Sequence, residues 1–99
     1  MKISRTDVLK KDYRSLSDEI KKAVNNQIIQ LLMDHKHPSL NLEKLSGYKN
    51  IYSIRVNINF RISLSIETEE FILRRVVNLD DLYRNPWLNF NKFIILKVP

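Results

Sequence analysis

Ile51-Tyr52-Ser53-Ile54-Arg55-Val56, followed by Phe60-Arg61-Ile62-Ser63-Leu64-Ser65-Ile66, is where the period of this chain changes from helical to alternating. Successive side chains of a strand point to opposite faces of a sheet, so residues two apart share a face. In the first run Tyr52, Ile54 and Val56 fall on one side and Ser53 and Arg55 on the other. In the second the division is cleaner, with Phe60, Ile62, Leu64 and Ile66 set against Arg61, Ser63 and Ser65. Glu67-Thr68-Glu69-Glu70 reads as a turn, and Phe71 to Val77 as a third strand, apolar enough to be central in the sheet. An antiparallel meander results, with one apolar face that something else in the chain has to cover.

The cover lies upstream. Met1 to Arg5 is a short candidate strand, after which Thr6 or Asp7 can cap a helix by accepting from the free amides of its first turn. Val8, Leu9, Tyr13 and Leu16 recur at helical spacing, and Ser15-Leu16-Ser17 breaks the pattern. Ser17 then caps a second helix whose apolar positions are Ile20, Val24, Ile28, Leu31 and Leu32, with Asp18 and Glu19 at its positive end. His37-Pro38 ends it, because proline disfavours a helical residue before it. The expected fold class is α+β: an N-terminal helical hairpin packed on one face of a small, mainly antiparallel sheet. Downstream, Leu79 to Tyr83 reads as a short helical turn stopped by Pro86, and Phe93 to Val98 as a further strand or an extended tail.

At 99 residues the chain has room for one core, so the expected organisation is a single domain over residues 1–99. The longest uncharged run, Ala23 to Met33, contains Asn25, Asn26, Gln27 and Gln30 and reads as an amphipathic helix instead of a membrane span. Met1-Lys2-Ile3-Ser4-Arg5 has no apolar core of the signal-peptide kind, and the lack of cysteine agrees with a reducing compartment. Seventeen Lys and Arg against eleven Asp and Glu give a net charge of +6, which favours a polyanionic partner such as nucleic acid, or an acidic protein.

Where that charge sits is more informative than its sum. Once helices cover the apolar side of the meander, Arg55 and Arg61 are left on the opposite side, on adjacent strands, within one phosphate's reach of each other. Arg74 or Arg75 adds a third cation from the next strand; both faces of that strand are mostly apolar, so the pattern does not choose between them. Guanidinium groups grip phosphate with paired hydrogen bonds and would stabilise the extra charge of a phosphoryl transition state. The competing reading is a wet sheet face with arginines that only solvate it.

The blocks His37-Pro38-Ser39-Leu40-Asn41-Leu42-Glu43-Lys44-Leu45, Ile51-Tyr52-Ser53-Ile54-Arg55-Val56-Asn57, Phe60-Arg61-Ile62 and Asp80-Asp81-Leu82-Tyr83-Arg84, in this order, resemble the RelE/ParE superfamily of toxins. The resemblance runs from residue 1 to about residue 84 and, more faintly, to Lys92-Phe93. It implies the same fold, a cytoplasmic protein, an antitoxin as partner, and a homodimer or a toxin–antitoxin heterotetramer as possible assemblies. It also implies an endoribonuclease that cuts mRNA on the ribosome through attack of a substrate 2′-hydroxyl on the adjacent phosphate, with a base, an acid and cations and no metal or cofactor. Carried over residue by residue, Arg61 takes the phosphate, Arg55 supports it, Tyr83 stacks on a base or moves a proton, and Glu43 is an acid used as a base in some relatives. Where relatives carry a histidine pair this chain has Asn78-Leu79, and a neutral Asn moves no proton. The base then falls to Tyr83, Asp81, Glu43 or a lysine. The alternatives are a ParE-like inhibitor of DNA gyrase and a non-catalytic member that only binds its antitoxin.

The other conspicuous residues have plainer readings. His35 and His37 lack further metal ligands and read as a cation or loop contact at a helix end. Trp87, Phe90 and Phe93 read as core or partner packing more readily than as a base-stacking platform. Lys10, Lys11, Arg14, Lys21 and Lys22 are the wet side of the helices, with ribosomal RNA as a possible counterpart. Phe93-Ile94-Ile95-Leu96 is a bare apolar segment that would pair with its own sheet, an antitoxin or a second copy.

Overall fold

The computed structural model describes residues 1–45 and 49–79. Strand β1 (Lys2–Arg5) leads into helices α1 (Asp7–Arg14) and α2 (Asp18–Met33), a 3₁₀ turn (Pro38–Leu40), and strands β2 (Glu43–Lys44), β3 (Ile51–Arg55), β4 (Phe60–Glu67) and β5 (Glu70–Asn78). The strands form one sheet in the order β1-β5-β4-β3-β2, antiparallel except for the parallel β1–β5 pair. The chain thus runs from β1, beside the last described strand, crosses one face as two helices, and returns from the far edge as a meander. This is the α+β arrangement expected from the pattern, with β5 between two neighbours as its apolar composition requires.

Local chemistry sets the element ends. Thr6, not Asp7, is the cap of α1: its Oγ1 accepts from Leu9 N at 3.1 Å while its hydroxyl donates to Arg74 O at 2.7 Å, tying the helix start to β5. Ser17 caps α2 by accepting from Ile20 N. Between β3 and β4, the Asn57 carboxamide oxygen accepts from both Asn59 N and Phe60 N, an Asx turn that brings the strands into register. In that register Arg55 stands opposite Arg61, Ser53 opposite Ser63 and Ile54 opposite Ile62.

The core lies between the helices and the sheet. Leu9, Val24, Ile28 and Leu31 meet Ile54, Val56, Ile62, Leu64, Phe71, Leu73 and Val76, with Leu40 closing one end. Leu32, expected on the apolar stripe of α2, is 46% exposed, and Ile29 is 56% exposed. One residue of helix is a 100° step, so Leu32 falls to the side of buried Leu31 and, with Ile29, forms an exposed apolar flank. Among the described residues no helix is long and apolar enough to cross a membrane.

Candidate functional site

The face turned away from the helices carries two rows of side chains that strand pairing dictates. Glu43, Ser53 and Ser63 stand opposite one another across β2, β3 and β4, with Arg75 next in register on β5 but its guanidinium turned to Asp12 of α1, and beside them Arg55, Arg61 and Val77 form the next row. Directly opposed residues sit with Cβ atoms roughly 5 Å apart, so the two arginines are near enough to share one phosphate. Like charges so placed repel, and their surroundings divide them. Arg55 is exposed, while only 13% of the Arg61 side chain is.

Arg61 leans across β3. Its Nε donates to Ser53 Oγ at 2.9 Å, and its Nη2 to Asn41 O at 2.7 Å and to Ser53 O at 3.2 Å. Glu43 Oε2 lies 3.9 Å from the same Nη2. This decides against the solvation reading for Arg61, because a cation that only wets a surface does not hold three protein acceptors. Arg55 keeps its place through its backbone: its carbonyl accepts from Gln27 Nε2 on α2 at 2.7 Å, and the same amide reaches Ser39 O at 3.1 Å.

The arginines of β5 part company at a bulge. Ser63 pairs with Arg75 but Leu64 with Leu73, which leaves Arg74 as the extra residue. Arg74 Nη1 donates to Ser65 Oγ on the helix-free face at 3.0 Å, and burial pushes its guanidinium below the ordinary value, with Glu67 acting in the opposite sense. Arg75 instead binds Asp12 of α1. The third cation is therefore Arg74. The floor between the arginines is not the wet surface of the competing reading, since Ser53, Ser63 and Ser65 are all buried. Among the described residues, Ser63 Oγ and Arg74 Nε find no hydrogen-bond partner there, and a buried polar group so placed costs about 1–3 kcal/mol.

Three of the five residues assigned from sequence, Arg55, Arg61 and Glu43, thus come together. Tyr83 and Asp81 lie outside the described residues, as do Gly47, the expected helical turn at 79–83 beyond Leu79, the aromatics Trp87, Phe90 and Phe93, and the apolar segment 93–96. Asn78, at the position of the missing histidine pair, ends β5 opposite Phe60. Asn41, Ser53 and Gln27 were not singled out by sequence. The signal available was an Asn after Pro38-Ser39-Leu40, since Asn is among the few residues that tolerate the left-handed backbone found there (φ 44°). His37 has the loop role expected of it, its Nδ1 accepting from Ser39 N at 3.1 Å. Among the described residues no group of three His, Cys, Asp or Glu is placed to hold a metal ion.

A second feature lies on the helical side. Arg5, Lys10 and Arg14 rim a groove of about 370 Å³ whose other walls are Leu9, Tyr13, Asn25 and Ile28. Asn25 and Ile29 are one turn apart on α2, so the exposed apolar flank of Ile29 and Leu32 continues this groove.

No protein-family model matches the sequence. No curated protein matches it either. Solved structures do. The RelB–RelE antitoxin–toxin complex from Methanococcus jannaschii superposes with a TM-score of 0.69 at 24% identity, covering 82% of this chain and 95% of that one. The YoeB/ParE toxin from Agrobacterium tumefaciens gives 0.66 at 17% identity over 79% and 98%. The intact E. coli RelBE toxin–antitoxin complex gives 0.64 at 15% identity over 78% and 94%. The two-helix cover, the five-stranded sheet and its parallel edge are accordingly those of the RelE, YoeB and ParE toxins, and that is the fold to which this chain belongs.

Proposed function

We propose that this chain is the toxin of a type II toxin–antitoxin system and that it cleaves mRNA on the ribosome, inhibiting translation. The observation that carries this reading is the cross-strand pair Arg55–Arg61 with Glu43 3.9 Å from the inner guanidinium. Cleavage within an RNA chain needs no external nucleophile. A base takes the proton of a 2′-hydroxyl, the oxygen attacks the adjacent phosphorus, and the 5′-oxygen of the next nucleotide leaves with a proton from an acid. Cations matched to the phosphate oxygens stabilise the dianionic transition state. In this assignment Arg61, fixed by Ser53 and Asn41, provides the oriented fork, Arg55 the outer phosphate contact, and Glu43 the base. Tyr83 and Asp81 are assigned to proton transfer or base stacking from the sequence resemblance.

The partner that restrains the toxin is assigned to the groove between α1 and α2. Its apolar walls and exposed flank suit the apolar face of an amphipathic segment, and its rim of Arg5, Lys10 and Arg14 suits acidic side chains. Arg61→Ala should abolish growth inhibition and mRNA cleavage in a translating extract while leaving the circular dichroism spectrum and melting point near those of the parent. Full cleavage by that variant would sink the assignment. A second reading is favoured by Asn78 at the position where relatives carry an imidazole: a gyrase-inhibiting or purely antitoxin-binding member. Inhibition of DNA supercoiling by the purified chain would select the former, and harmless expression without a partner the latter.

A further inference from the structure

Arg74 lies half-buried on the helix-free face with one neutral partner. It is the extra residue of β5 at the bulge opposite Ser63 and Leu64, and a bulge re-aims a side chain that regular alternation would send elsewhere. Residues 61, 63 and 65 share one side of β4, so the bond from Arg74 Nη1 to Ser65 Oγ, at 3.0 Å, puts Arg74 on the face of Arg61. Its Nε is buried without an acceptor, and so is Ser63 Oγ across the bulge. Among the described residues no carboxylate stands within ion-pair contact of it, and Glu67 acts on it only from farther off. Arg75, one residue on, shows the contrast, with both arms of its fork on Asp12. A partly buried cation held by one hydroxyl is costly to keep, and burial accordingly depresses its pKa. An anion drawn from solution would offset that cost.

We propose that Arg74 binds a second phosphate of the RNA backbone, separate from the one assigned to Arg55 and Arg61. The separation follows from the strands. Ser65, the anchor of Arg74, lies four residues along β4 from Arg61, roughly 13 Å at the rise of an antiparallel strand. Arg61 leans over β3 to Ser53 and Asn41, on one side of β4, while Arg74 comes from β5 on the other. One phosphate does not span that distance, so Arg74 serves another linkage of the same chain. A guanidinium tethered by a single neutral bond, with its Nε unsatisfied, gives up little in exchanging Ser65 for the oxygens of a phosphate. Bound at both points, the RNA runs along β4 from the Arg55–Arg61 pair toward the β4–β5 turn. The inference rests on the RNA-cleaving reading for the identity of its ligand.

The test is the salt dependence of binding to a single-stranded 2′-O-methyl RNA, which cannot be cut because its 2′-oxygens carry no proton. Arg74→Gln keeps a donor for Ser65 and removes the charge. Its affinity should fall roughly tenfold, the scale of one charged hydrogen bond, and its slope of log affinity against log salt should shrink by about 0.7. In Arg55→Ala/Arg74→Gln the slope should shrink by about 1.4, because two separate phosphates lose their counter-charge. Arg74→Lys keeps the charge and should keep the parent's slope, which distinguishes a lost contact from a disturbed bulge. Parent-like binding by Arg74→Gln would overturn the inference. So would a double variant no different in slope from Arg55→Ala, since both arginines would then share one phosphate, and so would an Arg74→Lys as impaired as Arg74→Gln. A parent that binds this RNA no better than the double variant would refute the RNA-cleaving reading itself, whereas loss in Arg55→Ala with none in Arg74→Gln would refute the second site alone.

Discussion

Asp12 and Arg75 join the first helix to the last described strand beyond the point where strand pairing does. Strand β1 accompanies β5 only as far as Arg5 opposite Leu73. Past it, the Asp12 carboxylate takes over: Arg75 Nε donates to Oδ2 at 2.9 Å, Arg75 Nη2 to Oδ1 at 3.0 Å, and Val76 N to Oδ2 at 3.1 Å. One carboxylate thereby satisfies a backbone donor of β5 beyond the end of its pairing with β1 and fixes α1 beside it. Asp12→Ala would leave a partly buried guanidinium and an edge amide without that acceptor, and is expected to cost about 2–3 kcal/mol in urea unfolding. Asp12→Asn, which keeps one acceptor oxygen, should cost less. Equal stability of Asp12→Ala and the parent would show that the clamp contributes nothing.

Gln27 plays a comparable part on the other flank, where α2 meets the end of β3. Its amide donates to Arg55 O and Ser39 O, so one side chain positions both the outer arginine and the loop that leads to Glu43. Gln27→Leu is expected to lower stability by about 1–2 kcal/mol and to speed amide exchange in residues 39–43 and 55–57 relative to the centre of β4. Unchanged exchange in those two segments would contradict the assignment.

Arg55 and Arg61 should differ in how their loss is felt. Arg55 is exposed at the rim of the face, so on the proposed RNA-cleaving reading Arg55→Ala should remove one phosphate contact without disturbing what orients Arg61. Binding of single-stranded RNA should weaken, and the slope of log affinity against log salt should shrink by about 0.7, the value for one phosphate on a single strand. Arg61→Lys keeps the charge but cannot reproduce contacts to Ser53 and Asn41 with one ammonium. It should bind RNA with nearly the parent's salt slope and cleave on the order of a hundredfold more slowly. Identical salt slopes for Arg55→Ala and the parent would remove Arg55 from the interface.

What the sequence made legible follows from what periodicity encodes. Tyr52, Ile54 and Val56 against Ser53 and Arg55, and the same alternation from Phe60 to Ile66, determine faces, and faces place Arg55 and Arg61 on the side away from the helices. The caps Thr6 and Ser17 were equally visible because their chemistry is local. Periodicity is silent on backbone irregularity. The bulge at Arg74 shifts the alternation of β5 by one residue, and only that shift separates Arg74, bonded to Ser65, from Arg75, bonded to Asp12. Contacts far apart in sequence were hidden for the same reason: nothing in the pattern of α2 marks Gln27 for Arg55 O, or Asn41 for Arg61. Leu32 shows the converse, an apolar residue whose type suited the stripe while its helical angle put it on the flank.

That flank gives the last test, because an exposed apolar strip beside a cation-rimmed groove is a recognisable binding surface. Ile29 is 56% exposed, so Ile29→Asp removes little from the core and should leave the melting temperature near the parent's. It places a carboxylate, however, where an acidic amphipathic segment would lay its apolar face, beside the groove of Arg5, Lys10 and Arg14 that is to receive that segment's acids. Affinity for the cognate antitoxin, measured by calorimetric titration of the purified pair, is expected to fall at least about tenfold, the cost of disrupting one buried apolar anchor. Coexpressed antitoxin should then rescue growth less well from Ile29→Asp than from the parent toxin. A parent-like affinity would place the antitoxin elsewhere on the surface and leave the groove between α1 and α2 without that partner.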